Sequence, residues 1–141
     1  MNKHNTKGFT LIEVLIVISI IGVLSSLTLL GLGTFRASGR DVRRVTDLRQ
    51  ITNALELYYA KVGNYPTTLE NLDILKTSGV IDKVPQDPSG SSYGYGACGS
   101  SGYAVQAKLE ETNKKILDES ATAGSCGLSC KTADKEYCIK F

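Results

Sequence analysis

One carboxylate stands alone in a long uncharged stretch near the start of the chain. The stretch from Phe9 to Phe35 is 27 residues long, and Glu13 is its only charge. A carboxylate inside a membrane costs a few kcal/mol, so it calls for a partner or a route to water. The chemistry open to Glu13 is ion pairing, either with a cation from another chain or with a terminal amine. Cutting the chain ahead of Phe9 would create such an amine one helical turn away. An ammonium and a carboxylate that meet in hydrocarbon stabilise each other, because each alone is badly solvated. The second reactive set is Cys98, Cys126, Cys130 and Cys138. An even number of cysteines in a small extracytoplasmic domain favours disulfides, which persist in oxidising compartments. Four cysteines allow three pairings. The short, sheet-compatible loop closed by Cys130–Cys138 favours that pair together with Cys98–Cys126, and the other pairings stay open. A four-cysteine zinc site is the rival, but paired Cys-x-x-Cys spacing is missing.

Enzyme chemistry finds little support. His4 is the only histidine, and no nucleophile–base pair, phosphate loop or His-Glu-x-x-His signature is present. The chain reads as a substrate of enzymes rather than as one, with no cofactor and no metal expected. Asp118, Glu119 and Asp134 could offer oxygen ligands to a cation, but no ligand spacing joins them. The 16 basic side chains exceed the 14 acidic ones by only two, and loss of Lys3 and Lys7 would make them equal. Such a balance argues against nucleic acid as a partner.

The elements that position these residues follow from periodicity. At ~1.5 Å per residue, a helix over Phe9–Phe35 is ~40 Å long, enough to cross a bilayer with some tilt. Arg36, Arg40, Arg43 and Arg44 end the apolar run. Beyond it Val42, Val45, Leu48, Ile51 or Thr52, Leu55, Tyr58, Tyr59 and Val62 recur at helical spacing and predict an amphipathic stripe. The opposite face, with Arg40, Arg43, Arg44, Asp47, Arg49 and Glu56, reads as solvated, or as a source of ion pairs between subunits. Gly63-Asn64, with Pro66 just beyond, predicts the end of the helix. Helix from Phe9 to Val62 would be ~80 Å long, so its N-terminal half must find lipid or other copies of itself. Gly22, Gly31 and Gly33 let helices approach closely in lipid.

Gly8-Phe9-Thr10-Leu11-Ile12-Glu13, followed by the long apolar run, resembles the processing site of type IV pilins and of type II secretion pseudopilins. The resemblance implies that a prepilin peptidase of the inner membrane cuts between Gly8 and Phe9 and methylates the new amine of Phe9. It implies that Glu13 pairs with the amine of a neighbouring subunit and sets register during filament assembly. An assembly ATPase and a platform protein would extract the subunit from the membrane. Many pilins carry a proline where this chain has Gly31-Leu32-Gly33, and local unwinding is expected there on entry into a filament. A secretory signal peptide would have a shorter apolar core and a cleavage site after it. The positive-inside count favours keeping the arginines in the cytoplasm, whereas the resemblance implies export of everything beyond them.

A second resemblance follows the helix. Leu55-Glu56-Leu57-Tyr58-Tyr59 with Gly63-Asn64-Tyr65-Pro66-Thr67-Thr68, and later Val84-Pro85-Gln86-Asp87-Pro88, are similar to the major pseudopilin of type II secretion. That protein binds calcium in its C-terminal loop. Thr67-Thr68-Leu69-Glu70 reads as a capping box opening a short helix that ends near Gly79. Leu69, Leu72, Leu75, Val80 and Ile81 are expected to pack on the long helix. Tyr103, Val105, Ala107 and Leu109 alternate with polar or small residues, which predicts a strand. Ser92–Gly96 is its expected partner across a Gly99–Gly102 turn, and Tyr137–Phe141 is a third strand.

The expected fold is therefore α+β, a long hydrophobic N-terminal helix packed on a small antiparallel sheet. The expected divisions are a leader over 1–8, a membrane or filament-core half-helix over 9–35, an amphipathic half over 36–63 and a globular domain over 64–141. The resemblance implies a structural subunit of a helical homo-oligomeric filament, resident in the inner membrane before assembly and then in a periplasmic or surface fibre. The filament would serve protein secretion, or pilus-based adhesion and motility. The alternatives are a low-copy minor subunit for adhesion or DNA uptake, and a lone anchored receptor domain.

Overall fold

A computed structural model describes residues 8–67, 73–121 and 126–141, without the side chains at 27–32. Residues 1–7 of the expected leader over 1–8, the expected capping residues Thr68 to Glu70, and Leu69 and Leu72 as expected packing residues lie outside the described residues. The chain divides into two compact units, 1–36 and 37–141. The helix α1 comprises Leu11–Val62 and includes Gly31, Leu32 and Gly33.

In the N-terminal unit, the described apolar side chains of α1 are all open, from Leu11 at 77% to Leu15 at 49% exposed. A helix surface that is apolar all round has no solvated face to offer water. The serines close their own hydrogen bonds inside the helix: Ser19 Oγ donates to the Leu15 carbonyl and Ser26 Oγ to the Val23 carbonyl, both at 2.7 Å. Among the described residues, no helix is long and apolar enough to cross a membrane. The side chains at 27–32, within the uncharged stretch, are not among them.

The second unit is built around α1 from Ala37 onward. The helix stops where Gly63 adopts φ +85° and its N–H donates to the Tyr59 carbonyl at 2.7 Å, a left-handed C-terminal stop. A short helix α2 (Asp73–Thr77) is followed by a turn at Ser78 and Gly79, where Gly79 has φ +71°. The strands β1 (Gly94–Ala97), β2 (Tyr103–Lys108) and β3 (Glu136–Lys140) form one antiparallel sheet in the order β1-β2-β3. Tyr95 stands opposite Val105, and Val105 opposite Ile139. A helix α3 (Lys114–Asp118), with Asn113 as its N-cap, and a 3₁₀ turn at Thr132–Asp134 occupy the β2–β3 connection. The sequence reading anticipated neither.

The core joins Leu48, Ile51, Leu55 and Tyr58 of α1 to Leu75 of α2 and to Tyr93, Tyr95, Tyr103, Val105 and Tyr137 around the sheet. The expected stripe holds from Leu48 to Tyr58 but fails at its ends. Val42 and Val62 are exposed and Tyr59 is partly so, although Val45 packs against the core, while Asp41 and Arg44 are buried. The buried stripe runs Ala37, Asp41, Arg44, Leu48, Ile51, Leu55 and Tyr58, alternating steps of four and three. Asp47 is buried as well, so the expectation that Arg44 and Asp47 lie on a solvated face is overturned. Hydrophobicity could not show this, because the Arg44–Asp41 pair on the helix is completed by Asp87 and Glu110, and Asp47 by the Tyr93 hydroxyl, all more than 40 residues away in the chain.

Alternation along β1 has a physical basis at both faces. Tyr93 and Tyr95 are buried, whereas Gly94 and Gly96 face the other way. A Cβ at Gly96 would lie 2.0 Å from the Cys126 carbonyl oxygen, so only glycine lets that segment lie on the strand.

Candidate functional site

The N-terminal candidates lie together at the start of α1. Gly8 and Phe9 are exposed, Phe9 by 87%, which leaves the peptide between them open to attack. Thr10 and Glu13 form a reciprocal cap. The Thr10 N–H and hydroxyl both donate to Glu13 Oε2, at 2.9 and 2.7 Å, while the Glu13 N–H lies 3.4 Å from Thr10 Oγ1. This is a capping box: two backbone N–H groups that the helix cannot satisfy find side-chain partners. The Thr-x-x-Glu spacing is its signal in the sequence, and it gives Glu13 a local partner beside the ion pairing expected of it. Glu13 is thus both the lone charge of the stretch and the third residue of its helix.

A second cluster ties α1 to the loops of the C-terminal unit. Arg44 is nearly fully buried and is held on several sides by carboxylates. Its Nε donates to Asp87 Oδ2 at 2.7 Å and its Nη2 to Asp87 Oδ1 at 3.0 Å. Its Nη1 reaches Asp41 Oδ1 at 2.7 Å and Glu110 Oε1 at 2.8 Å. Arg40 adds a forked pair to Glu110, with Nε donating to Oε1 at 2.7 Å and Nη2 to Oε2. Asp41 accepts from the backbone N–H groups of Glu110 and Glu111, each at 2.9 Å at its nearer oxygen, which fastens the end of the sheet to the helix. The Ser89 N–H and hydroxyl donate to Asp87 Oδ1 at 2.7 and 2.6 Å, an Asx turn that aims this carboxylate inward from between Pro85 and Pro88.

These contacts move the titration of the groups involved. The Arg44 guanidinium, with help from Ser89, holds Asp87 down from 3.8 to about 2 against the cost of burial. Arg40 and Arg44 hold Glu110 down from 4.5 to about 2. Hydrogen bonds to Asp87, Asp41 and Glu110 raise Arg44 above its ordinary value. Tyr93 donates to Asp47 Oδ2 at 2.6 Å, and burial first, then that carboxylate, raises its hydroxyl. Every charge in the cluster is engaged, so it fixes structure rather than attacking a substrate.

The four cysteines pair as Cys98–Cys126 and Cys130–Cys138, with Cα separations of 4.7 and 5.7 Å. Asp118, Glu119 and Asp134 are exposed, and Glu119 faces Arg49 at 3.7 Å. Among the described residues, no group of three or more His, Cys, Asp or Glu side chains is placed to hold a metal ion.

A capped helix whose exposed N-terminal part, up to Phe35, carries Glu13 as its one carboxylate, together with a three-stranded sheet, is the architecture of a filament-subunit class of protein. Residues 3–29 match the prokaryotic N-terminal methylation motif. Residues 36–109 match type II secretion system protein G, and the chain belongs to that family. It is 35% identical to the type II secretion system core protein G of Aeromonas hydrophila over 106 residues, covering 66% of this chain and 74% of that protein. Its identity to the core protein G of Escherichia coli K12 is 34% over 62% of this chain and 69% of that protein. With that of Pseudomonas aeruginosa it is 31% over 72% and 81%. No solved structure matches.

Proposed function

We propose that this chain is a pseudopilin, a structural subunit of the type II secretion filament that is processed in the inner membrane before it polymerises. Family membership supplies the class: a structural subunit, not an enzyme. The observation that carries the reading is Glu13, the lone carboxylate of the stretch Phe9–Phe35, on a helix that begins just after Gly8 and Phe9. Cleavage between Gly8 and Phe9 places a new amine one turn from that carboxylate. Methylation of Phe9 keeps the amine cationic, and pairing with Glu13 of a neighbouring copy sets the register of the stack. The leader spans 1–8, and segment 9–35 is the membrane anchor that becomes the filament core. Residues 36–63 carry the globular domain of 64–141 into the periplasm. Prepilin peptidase, an assembly ATPase and a platform protein are the partners this role requires.

Intact and N-terminal peptide masses of the filament-enriched fraction test the reading. A mature chain that begins at methylated Phe9 and is recovered in fibres is the expected result. An uncut Met1 chain found only in membranes overturns it.

A further inference from the structure

The two disulfides differ sharply in what surrounds them. Cys130 and Cys138 are each 1% exposed, and Cys138 sits in the middle of β3. The backbone of Cys138 is closed on both sides, its N–H donating to Ser120 Oγ and its carbonyl accepting from the Ala121 N–H, both at 2.9 Å. Cys98 and Cys126 are only half buried. Thiol–disulfide exchange requires a thiolate to reach a disulfide sulfur, so access separates the two bonds.

They also differ in what depends on them. The register of β1 against β2 is set by the strand ladder from Gly94 opposite Gln106 to Ala97 opposite Tyr103, and the Cys98 N–H closes the turn on the Gly102 carbonyl at 2.8 Å. The chain from Cys130 onward is held by its own disulfide. It is also held by Glu136, whose carboxylate accepts from Ser129 Oγ at 2.6 Å and from the Lys131 N–H at 2.8 Å. What Cys98–Cys126 adds is to press the Cys126 carbonyl against the bare face of Gly96. Cys126 (φ 55°) and Cys130 (φ 46°) both take left-handed conformations, so backbone strain does not separate the two bonds and access does.

We propose that Cys98–Cys126 is a reversible redox latch over the outer face of β1, while Cys130–Cys138 is a permanent staple of the core. A dithiol reductant supplies the electrons. One of its thiolates attacks the sulfur of Cys98 or Cys126, forming a mixed disulfide and releasing the other cysteine as a thiolate that takes up a proton. The second thiol of the reductant then displaces the first cysteine. Two cysteine thiols and the oxidised, disulfide form of the reductant result. Opening frees Cys126 to Leu128 from β1 and leaves the sheet intact.

Stepwise dithiothreitol treatment of the full chain in detergent micelles tests this, with iodoacetamide quenching, peptide mapping by mass, and amide hydrogen exchange in parallel. Cys98 and Cys126 are expected to become alkylated at roughly one tenth of the reductant needed for Cys130 and Cys138. Exchange should leave β2 and β3 still protected. Alkylation of all four at one concentration, or of Cys130 and Cys138 first, overturns the proposal. So does exchange that spreads into β2 and β3. A chain with Cys98→Ser and Cys126→Ser should reproduce the reduced exchange pattern, and its failure to fold would make the outer bond a staple instead.

Discussion

Arg44 of α1 grips Asp87 with two hydrogen bonds, at 2.7 and 3.0 Å, across 43 residues of sequence. The pair seats the loop between Pro85 and Pro88 on the helix in a buried site. Removing the cation leaves Asp41 and Asp87 uncompensated away from water. Breaking a buried pair from one side costs about 3–5 kcal/mol. Arg44→Ala should therefore lose about that much stability in urea unfolding of the solubilised chain. A loss below about 1 kcal/mol would show that water replaces the guanidinium.

Acid should weaken the same cluster. Asp87 is held at about 2 instead of 3.8, and Glu110 at about 2 instead of 4.5. A carboxylate whose folded pKa lies below its unfolded value stabilises the fold above the unfolded value. That contribution declines as pH falls through the window between the two and is gone below the folded pKa. The thermal midpoint should fall between about pH 5 and pH 2, and Asp87→Asn should flatten part of that slope. A slope unchanged in Asp87→Asn would assign the acid response to other groups.

The capping box makes Thr10 and Glu13 separable by experiment. Thr10→Ala removes the side-chain acceptor at the N-cap and should loosen the first turn by about 0.5–2 kcal/mol, with Thr10→Ser restoring it. Amide exchange at Leu11 to Glu13 reads this directly. Glu13→Leu should leave the chain in the membrane fraction and remove it from fibres. Normal fibres from Glu13→Leu would refute the register role.

Gly96→Ala would drive a methyl to within 2.0 Å of the Cys126 carbonyl oxygen, where backbone meets backbone. Relief requires the segment to lift, so the alanine chain should form Cys98–Cys126 poorly and lose about 1–3 kcal/mol. Counting free thiols after denaturation without reductant would show two in the variant against none in the parent. Full pairing in the variant would mean that the loop shifts at little cost.

The sequence by itself determined the parts of this protein that depend on neighbours along the chain. The lone Glu13 beside Gly8 and Phe9, the 3.6-residue stripe from Leu48 to Tyr58, the glycine stop at Gly63 and the two-residue alternation of Tyr103 to Leu109 are local patterns. Each of the last three can be read because helix, turn and strand fix side-chain direction over a few residues. The capping box is equally local, a Thr-x-x-Glu pattern at the head of the helix. Only the tertiary structure decided which charged residues are buried. Asp41 and Arg44 occupy core positions of α1 because Asp87 and the turn at Glu110 and Glu111 come back to meet them, and no window on the helix contains those partners. The pairing of Cys98 with Cys126 belongs to the same class, since 28 residues separate them and the sheet brings them together. Burial of a charge or a thiol is a property of the space around it, and the folded chain makes that space from residues remote in sequence.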